Sequence, residues 1–250
     1  MSEIQNIAII GTGNVATHYL NIMNKKGLNV KVYHSRSNFF NAMLDNDLII
    51  IAVKDEAIKT IAEGIFLLND KKRLEHTILV HTSGYTDTYF LEKYSRNYGS
   101  FYPLQSLKKE IEVDFNSVPL CTWANNQESE IKLKNLALKL SNIHYSLTDK
   151  QRKTIHLAAV FANNFTNHLF TIAKTLLDKE NIPFTVLYPL MEQTIKAAEQ
   201  GNPQDNQTGP AIREDFATMN EHKKQLDIEE KQIYELLSQS IINHKNKRKL

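Results

Sequence analysis

The sequence predicts an α/β fold: a doubly wound parallel sheet followed by an all-α C-terminal domain. Three observations predict it. Short apolar runs alternate with helix-length segments through residues 1–148, a glycine turn follows the first of those runs, and long helical periodicity then replaces the strand-like pattern. A length of 250 residues allows one to two domains, so the reading is 1–148 and 149–250.

The elements follow in order. Residues 4–10, IQNIAII, end at a glycine turn, and Val15, Tyr19, Ile22 and Met23 then recur at helical spacing. Gly27 closes that helix, and Leu28, Val30 and Val32 alternate as a second strand. Leu48 to Val53 are apolar without interruption, as a strand covered on both faces requires. Ile78 to Val80 repeat the pattern, and shorter candidates stand at Ser100–Tyr102 and Val118–Trp123. Strands separated by helices imply right-handed crossovers and parallel pairing. Beyond residue 148, Gln151 to Asp178 reads as one long helix carrying Leu157, Val160, Phe161, Phe165, Leu169, Ile172 and Leu176. Pro183 is expected to start another helix and Pro189 to kink it, with Glu192–Glu199 completing it. A polar loop, Gly201–Arg213, precedes helices near 214–224 and 227–242.

Composition narrows the class. The chain is 42% hydrophobic and 23% charged, with 11 Phe, 10 Tyr and 1 Trp, enough apolar material to exclude wholesale disorder. Net charge is +2, but Lys245 to Leu250 contribute four basic side chains and no acidic one. The remainder is therefore close to neutral and has no global reason to bind a polyanion, so neither nucleic acid nor membrane is an expected partner. The single cysteine, Cys121, excludes an internal disulfide, and no Cys and His cluster has metal-ligand spacing, so no metal is expected. No apolar run approaches about 18 residues and no basic leader precedes Gly11. The expectation is a cytoplasmic protein.

Gly11-Thr12-Gly13-Asn14-Val15-Ala16 has the spacing GxGxxA. Gly11 allows a tight turn, Gly13 lets backbone approach a pyrophosphate, Ala16 permits close packing of helix on sheet, and the free N–H groups of the helix start attract phosphate. The flanking strand and helix make the pattern specific for a dinucleotide. An NAD site usually carries Asp or Glu about 20 residues later. No acidic residue stands between Glu3 and Asp45. Ser35, Arg36 and Ser37 occupy the expected place, two hydroxyls around a guanidinium, which suits the 2′-phosphate of NADP; the alternative is a solvated loop arginine. Lys54 and Asp55 follow the third strand, which ends at Val53, and His81-Thr82-Ser83-Gly84 follow the fourth, where open α/β sheets bind ligands. Ser83 and Gly84 offer a hydroxyl and backbone near the nicotinamide. His81 is either a proton donor or a structural hydrogen-bonding residue.

On the long helix, His156, Asn163 and Asn167 lie within about 20° of one another at 100° per residue, and Asn164 and His168 form an i, i+4 pair. Their partners are either a substrate or groups on neighbouring helices or a second copy. In QTGPAIRED, Arg213 either clamps a substrate carboxylate or pairs locally with Asp215 or Glu214.

Gly11-Thr-Gly-Asn-Val-Ala, Tyr33-His-Ser-Arg-Ser, Ile51-Ala-Val-Lys-Asp-Glu-Ala-Ile, His81-Thr-Ser-Gly, Phe101-Tyr-Pro-Leu-Gln, Asn163-Asn-Phe and Gln207-Thr-Gly-Pro-Ala-Ile-Arg together resemble a largely uncharacterised family. It pairs a Rossmann-like NADP-oxidoreductase domain with a C-terminal helical domain of unknown function. The likeness spans nearly the whole chain and extends distantly to pyrroline-5-carboxylate reductase, ketopantoate reductase and 3-hydroxyacid dehydrogenases. The resemblance implies NADP binding and a helical domain that helps form a homodimer. One departure stands out. Hydroxyacid dehydrogenases of this kind carry a lysine four residues before an asparagine, whereas Val160 and Ala159 precede Asn164 and Asn163 here. Imine reduction, or a donor such as His156 or His81, is then no less plausible.

The expected function is an NADP-dependent oxidoreductase acting on a small carbonyl or imine in the cleft between the domains. Candidate catalytic residues are His81, Ser83, His156, Asn164 and Arg213; Gly11, Gly13, Asn14, Val15, Ser35, Arg36, Ser37, Val53, Lys54, His81, Thr82, Ser83 and Gly84 are expected to bind the cofactor. The alternative is a dinucleotide-binding sensor or structural dimer without turnover.

Overall fold

The computed structural model describes residues 3–35, 45–67 and 75–247 and divides into two compact units, Met1–Asn164 and Phe165–Leu250. The first carries a seven-stranded sheet of order β2-β1-β3-β4-β5-β6-β7. Its strands are β1 (Asn6–Ile10), β2 (Asn29–Tyr33), β3 (Leu48–Ile51), β4 (Ile78–His81), β5 (Asn97–Pro103), β6 (Leu120–Ala124) and β7 (His144–Ser146), with helices α1 (Asn14–Lys25), α2 (Asp55–Leu67) and α3 (Gln127–Leu140). The chain winds outward from β1 in both directions, so the strand order switches between β1 and β3, the place where such sheets hold ligands at the carboxyl ends of strands.

The unbroken apolar strands are explained by burial on both faces. Ile7, Ile9, Leu48 and Ile50 pack with Tyr19 and Met23 of α1 and Leu133, Leu136 and Leu140 of α3. Ala8, Ile10, Ile49 and Ile51 face the other way, onto Ile58, Ile61 and Ile65 of α2. Each fully buried isoleucine contributes about 1.5–3 kcal/mol, so this two-faced core fixes the register, Ile9 opposite Val32 on one side and Ile50 on the other.

Two differences from the sequence expectation concern the sheet. β6 runs antiparallel to β5, because a parallel return needs a crossover of a dozen or more residues, usually helical, and the connection after Pro103 holds only a 3₁₀ turn, Phe115–Ser117. β7, three residues reading HYS, was not foreseen, being too short and polar for an alternating signal.

Beyond β7, Thr148 forms a reciprocal cap with Gln151 and starts α4 (Asp149–Ala159). The expected single helix is interrupted by a π-helical segment, Val160–Phe165, before α5 (Thr166–Lys179). The 100° spacing that placed His156 with Asn163 therefore does not hold, since a π-turn takes an extra residue. Pro189 does not kink a helix: it sits in the first turn of α6 (Tyr188–Gln200), where its missing N–H costs nothing. Pro183 precedes a 3₁₀ turn, Phe184–Leu187, instead of opening a helix. The polar loop ends in a short helix, α7 (Pro210–Arg213), followed by α8 (Phe216–Lys224) and α9 (Ile228–Lys247). Among the described residues, no helix is long and apolar enough to cross a membrane.

Candidate functional site

The two glycines of the turn have different physical reasons. Gly11 has φ +124°, and a Cβ there would stand 2.1 Å from the Ala52 carbonyl oxygen at the end of β3. Its N–H donates to the Tyr33 carbonyl at 2.9 Å, tying the turn to β2 as well. Gly13 is extended (φ −78°, ψ −172°), and a Cβ on it would meet nothing within 4 Å. The protein's own packing therefore does not require glycine at 13.

Helix α1 begins directly after Gly13, with no side-chain cap and no acidic residue in its first turn. Its first N–H groups have no partner inside the helix and carry the positive end of the helix dipole. They face a cavity of about 810 Å³ lined by Gly11, Thr12, Gly13, Asn14, Val15, Ser35, Ala52, Val53, Lys54, Glu56, Ala57, Thr60, Ile61 and Thr82. A dinucleotide pyrophosphate fits this donor set. The structure thus brings together Gly11, Gly13, Asn14, Val15, Ser35, Val53, Lys54 and Thr82 from the sequence candidates. Arg36 and Ser37 lie outside the described residues.

His81, Ser83 and Gly84 do not line the cavity but shape the loop beside it. His81 is fully buried and accepts a hydrogen bond on Nδ1 from the Ser83 N–H at 3.2 Å. Burial, then the nearby Arg152 guanidinium, push its pKa down to about 3. It is neutral in the physiological range, which argues against imidazolium donation and for the structural role. Ser83 Oγ accepts from the N–H groups of Tyr85 (3.1 Å) and Thr86 (2.9 Å), so it also folds the loop. Gly84 is needed for close approach: a Cβ there would lie 2.4 Å from His156 Nδ1 and 3.0 Å from Tyr102 Cζ.

That loop is pinned by α4. Arg152 is wholly buried; its guanidinium donates to Asp149 Oδ1 (2.6 Å), Ser100 Oγ (2.9 Å) and the Thr86 carbonyl. Asp149 accepts from the Thr88 N–H at 2.7 Å and its hydroxyl at 2.9 Å. Although burial opposes it, these donors and the Arg152 charge hold the Asp149 carboxyl below its ordinary pKa. One turn further, His156 Nδ1 meets the Tyr102 hydroxyl at 3.2 Å. Asn164 stands exposed in the π-helical segment. Arg213 is exposed at the end of α7 in the second unit. Neither is among the lining residues. Around Arg213, Glu214 pairs with Lys245 at 2.7 Å, and Asp215 caps α8 through Thr218.

Residues 118–241 match a domain of unknown function, DUF2520. The crystal structure of a "putative NADP oxidoreductase" from Bacteroides fragilis is 33% identical, covers 96% of this chain and 98% of its own, and gives a TM-score of 0.86. The chain belongs to this DUF2520 family. Two more remote structures share the fold of the DUF2520 protein. Plasmodium falciparum pyrroline carboxylate reductase, with NADP bound, is 11% identical over 95% of this chain and 99% of its own (TM-score 0.58). A reductive aminase from Aspergillus terreus, in complex with NADPH and ethyl levulinate, is 12% identical over 97% and 95% (TM-score 0.70). No curated protein matches the DUF2520 chain in sequence.

Sequence reasoning passed over Asp149, Arg152 and Tyr102 of this DUF2520 protein. Asp149 and Arg152 had a local signal, an i, i+3 charge pair behind the Thr148-x-x-Gln151 cap. Tyr102 stands in the sequence only at the end of a short strand candidate and inside the Phe101-Tyr-Pro-Leu-Gln motif, where nothing local distinguishes it from a core tyrosine.

Proposed function

We propose that this DUF2520 protein is an NADP-dependent oxidoreductase that moves a hydride to or from a small carbonyl or imine compound. The observation that carries the reading is the cavity over the glycine turn, where Gly13 has room for a Cβ that the protein itself does not exclude. The family relative from Bacteroides fragilis supports it by the activity its name gives.

The bound dinucleotide would supply the hydride chemistry. The α1 start and the Gly11–Val15 backbone would hold its pyrophosphate, and Ser35, with Arg36 and Ser37, its 2′-phosphate. Val53, Lys54 and Thr82 wall the cavity, and the 83–88 loop, held by Asp149 and Arg152, borders it. Asn164 and Arg213 are proposed substrate contacts, Arg213 for a carboxylate. Residues 1–148 would then supply the cofactor site and 149–250 the specificity.

Fluorescence titration is expected to show NADPH binding at least tenfold tighter than NADH, and Arg36→Asp is expected to weaken NADPH while leaving NADH little changed. An unchanged Kd for NADPH in Arg36→Asp would remove the 2′-phosphate assignment. With Val160 in the place of a catalytic lysine, a second reading is a sensor without turnover. Tight NADPH binding with no oxidation across a broad panel of oxo acids and cyclic imines would favour it.

The protein is further proposed to be a homodimer through its helical part. Neither α5 nor α6 has a buried residue, and Phe165, Leu169, Leu190 and Ile195 are exposed, an apolar surface that monomers rarely present. Sedimentation equilibrium is expected to give twice the chain mass, and Leu169→Glu to shift the species toward monomer.

A further inference from the structure

We infer that the Tyr102 hydroxyl is the proton donor of the proposed reduction and that His156 returns a proton to it. The inference rests on the oxidoreductase reading and adds the residue that this reading lacks. Tyr102 lies at the carboxyl end of β5, the end at which the glycine turn and Thr82 line the cavity. Its ring packs against Gly84, two residues beyond Thr82, and Gly84 has no room for a Cβ because the Tyr102 and His156 rings occupy that space. The hydroxyl is 3.2 Å from His156 Nδ1, with the rings edge to face at 6.1 Å. Both side chains are half-buried, so each retains a path to solvent or ligand.

The neighbouring candidates are committed elsewhere. His81 is neutral and wholly buried, Ser83 Oγ organises its own loop, and the Arg152 guanidinium is held by Asp149, Ser100 and Thr86. The groups that act on the Tyr102 hydroxyl are Cys121 on β6, Arg152 and His156 on α4, and Asp55 at the start of α2. Asp55 directly follows Lys54 and precedes Glu56, both cavity residues. Burial first, then Cys121, raises the Tyr102 pKa to about 12, so the phenol carries its proton at neutral pH and releases it only to a strongly basic atom such as the oxygen or nitrogen that gains the π pair.

The reduced nicotinamide cofactor would supply a hydride, and with it two electrons, to the carbon of a C=O or C=N bond, whose π pair would move onto oxygen or nitrogen. The Tyr102 O–H bond breaks, its proton bonds to that atom, and the phenolate keeps the electron pair. A proton from His156 restores the phenol, and solvent restores His156.

The test uses the full chain labelled with 3-fluorotyrosine, the Tyr102 resonance being the one lost in Tyr102→Phe. Saturating NADP+ is expected to shift that resonance, a readout that needs no substrate. With a panel of 2-oxo acids and cyclic imines, Tyr102→Phe is expected to lower kcat by roughly 10²–10⁴-fold, with the Kd for NADPH within about twofold of the unsubstituted protein by the affinity scale. His156→Ala is expected to lose part of kcat and regain it on addition of imidazole, which a merely structural histidine would not do. If NADP+ binds and the Tyr102 resonance does not move, or if kcat survives in Tyr102→Phe, the inference fails and the dinucleotide reading stands. If the unsubstituted protein does not bind NADP+ at all, both fall.

Discussion

Asp149→Ala is expected to destabilise the first unit by about 3–5 kcal/mol, because it strands the wholly buried Arg152 charge without its carboxylate partner. A typical domain holds only about 5–15 kcal/mol in total, so such a loss brings the protein close to unfolding at ordinary temperature. The Arg152→Met substitution removes the charge itself and fills most of the volume, leaving Asp149 still bonded to Thr88. It is expected to cost clearly less. Urea unfolding of both variants checks the order: if Arg152→Met proved the more damaging, an uncompensated charge would not be the cause. The pair also has a pH signature. Asp149 titrates below its ordinary value in the folded chain, so its stabilisation is complete above about pH 4 and is lost as pH falls through the lowered value. His81 acts over a higher window. The unfolded chain takes up a proton near the ordinary value of 6.5, while the folded chain refuses it down to about 3, so stability declines as pH falls between those limits. His81→Asn is expected to flatten that part of the stability profile.

The second large effect separates the two glycines of the turn. Gly11→Ala is expected to cost about 3 kcal/mol or more, since the residue must keep φ +124° while its Cβ meets the Ala52 carbonyl oxygen at 2.1 Å. Relief by movement is unavailable without loss elsewhere, because the Ala52 N–H donates to the Ile10 carbonyl at 2.8 Å and joins β3 to β1. Gly13→Ala has no such conflict and is expected to change stability by no more than about 0.5 kcal/mol. The same added methyl stands where a pyrophosphate would approach, so NADPH affinity is expected to fall at least tenfold, about 1.4 kcal/mol. Thermal unfolding and NADPH titration of both variants give the comparison. Undiminished affinity in Gly13→Ala would mean that the cofactor does not lie against this backbone.

The sequence alone determined the features set by short stretches of chain. Uninterrupted apolar runs had to become strands covered on both faces, and β1, β3 and β4 did. The GxGxxA spacing had to make a turn whose second glycine stays open to a ligand, and the free start of α1 follows from the same six residues. The absence of carboxylates between Glu3 and Asp45 is likewise a fact of the chain that any fold must carry. Tertiary structure decided what depends on partners remote in sequence. The direction of β6 follows from a connection without a crossover helix, and the π-helical segment broke the even helical spacing on which the reading of His156 and Asn163 depended. The type of His81 allows either a donor or a structural residue; burial and the charge of Arg152, 71 positions later, make it neutral. The Tyr102 and His156 contact joins residues 54 apart, and Arg152 reaches Ser100 across 52. Spacing reports which face of its own element a side chain shares, whereas a proton's affinity and a hydroxyl's partner depend on what the fold packs against that face.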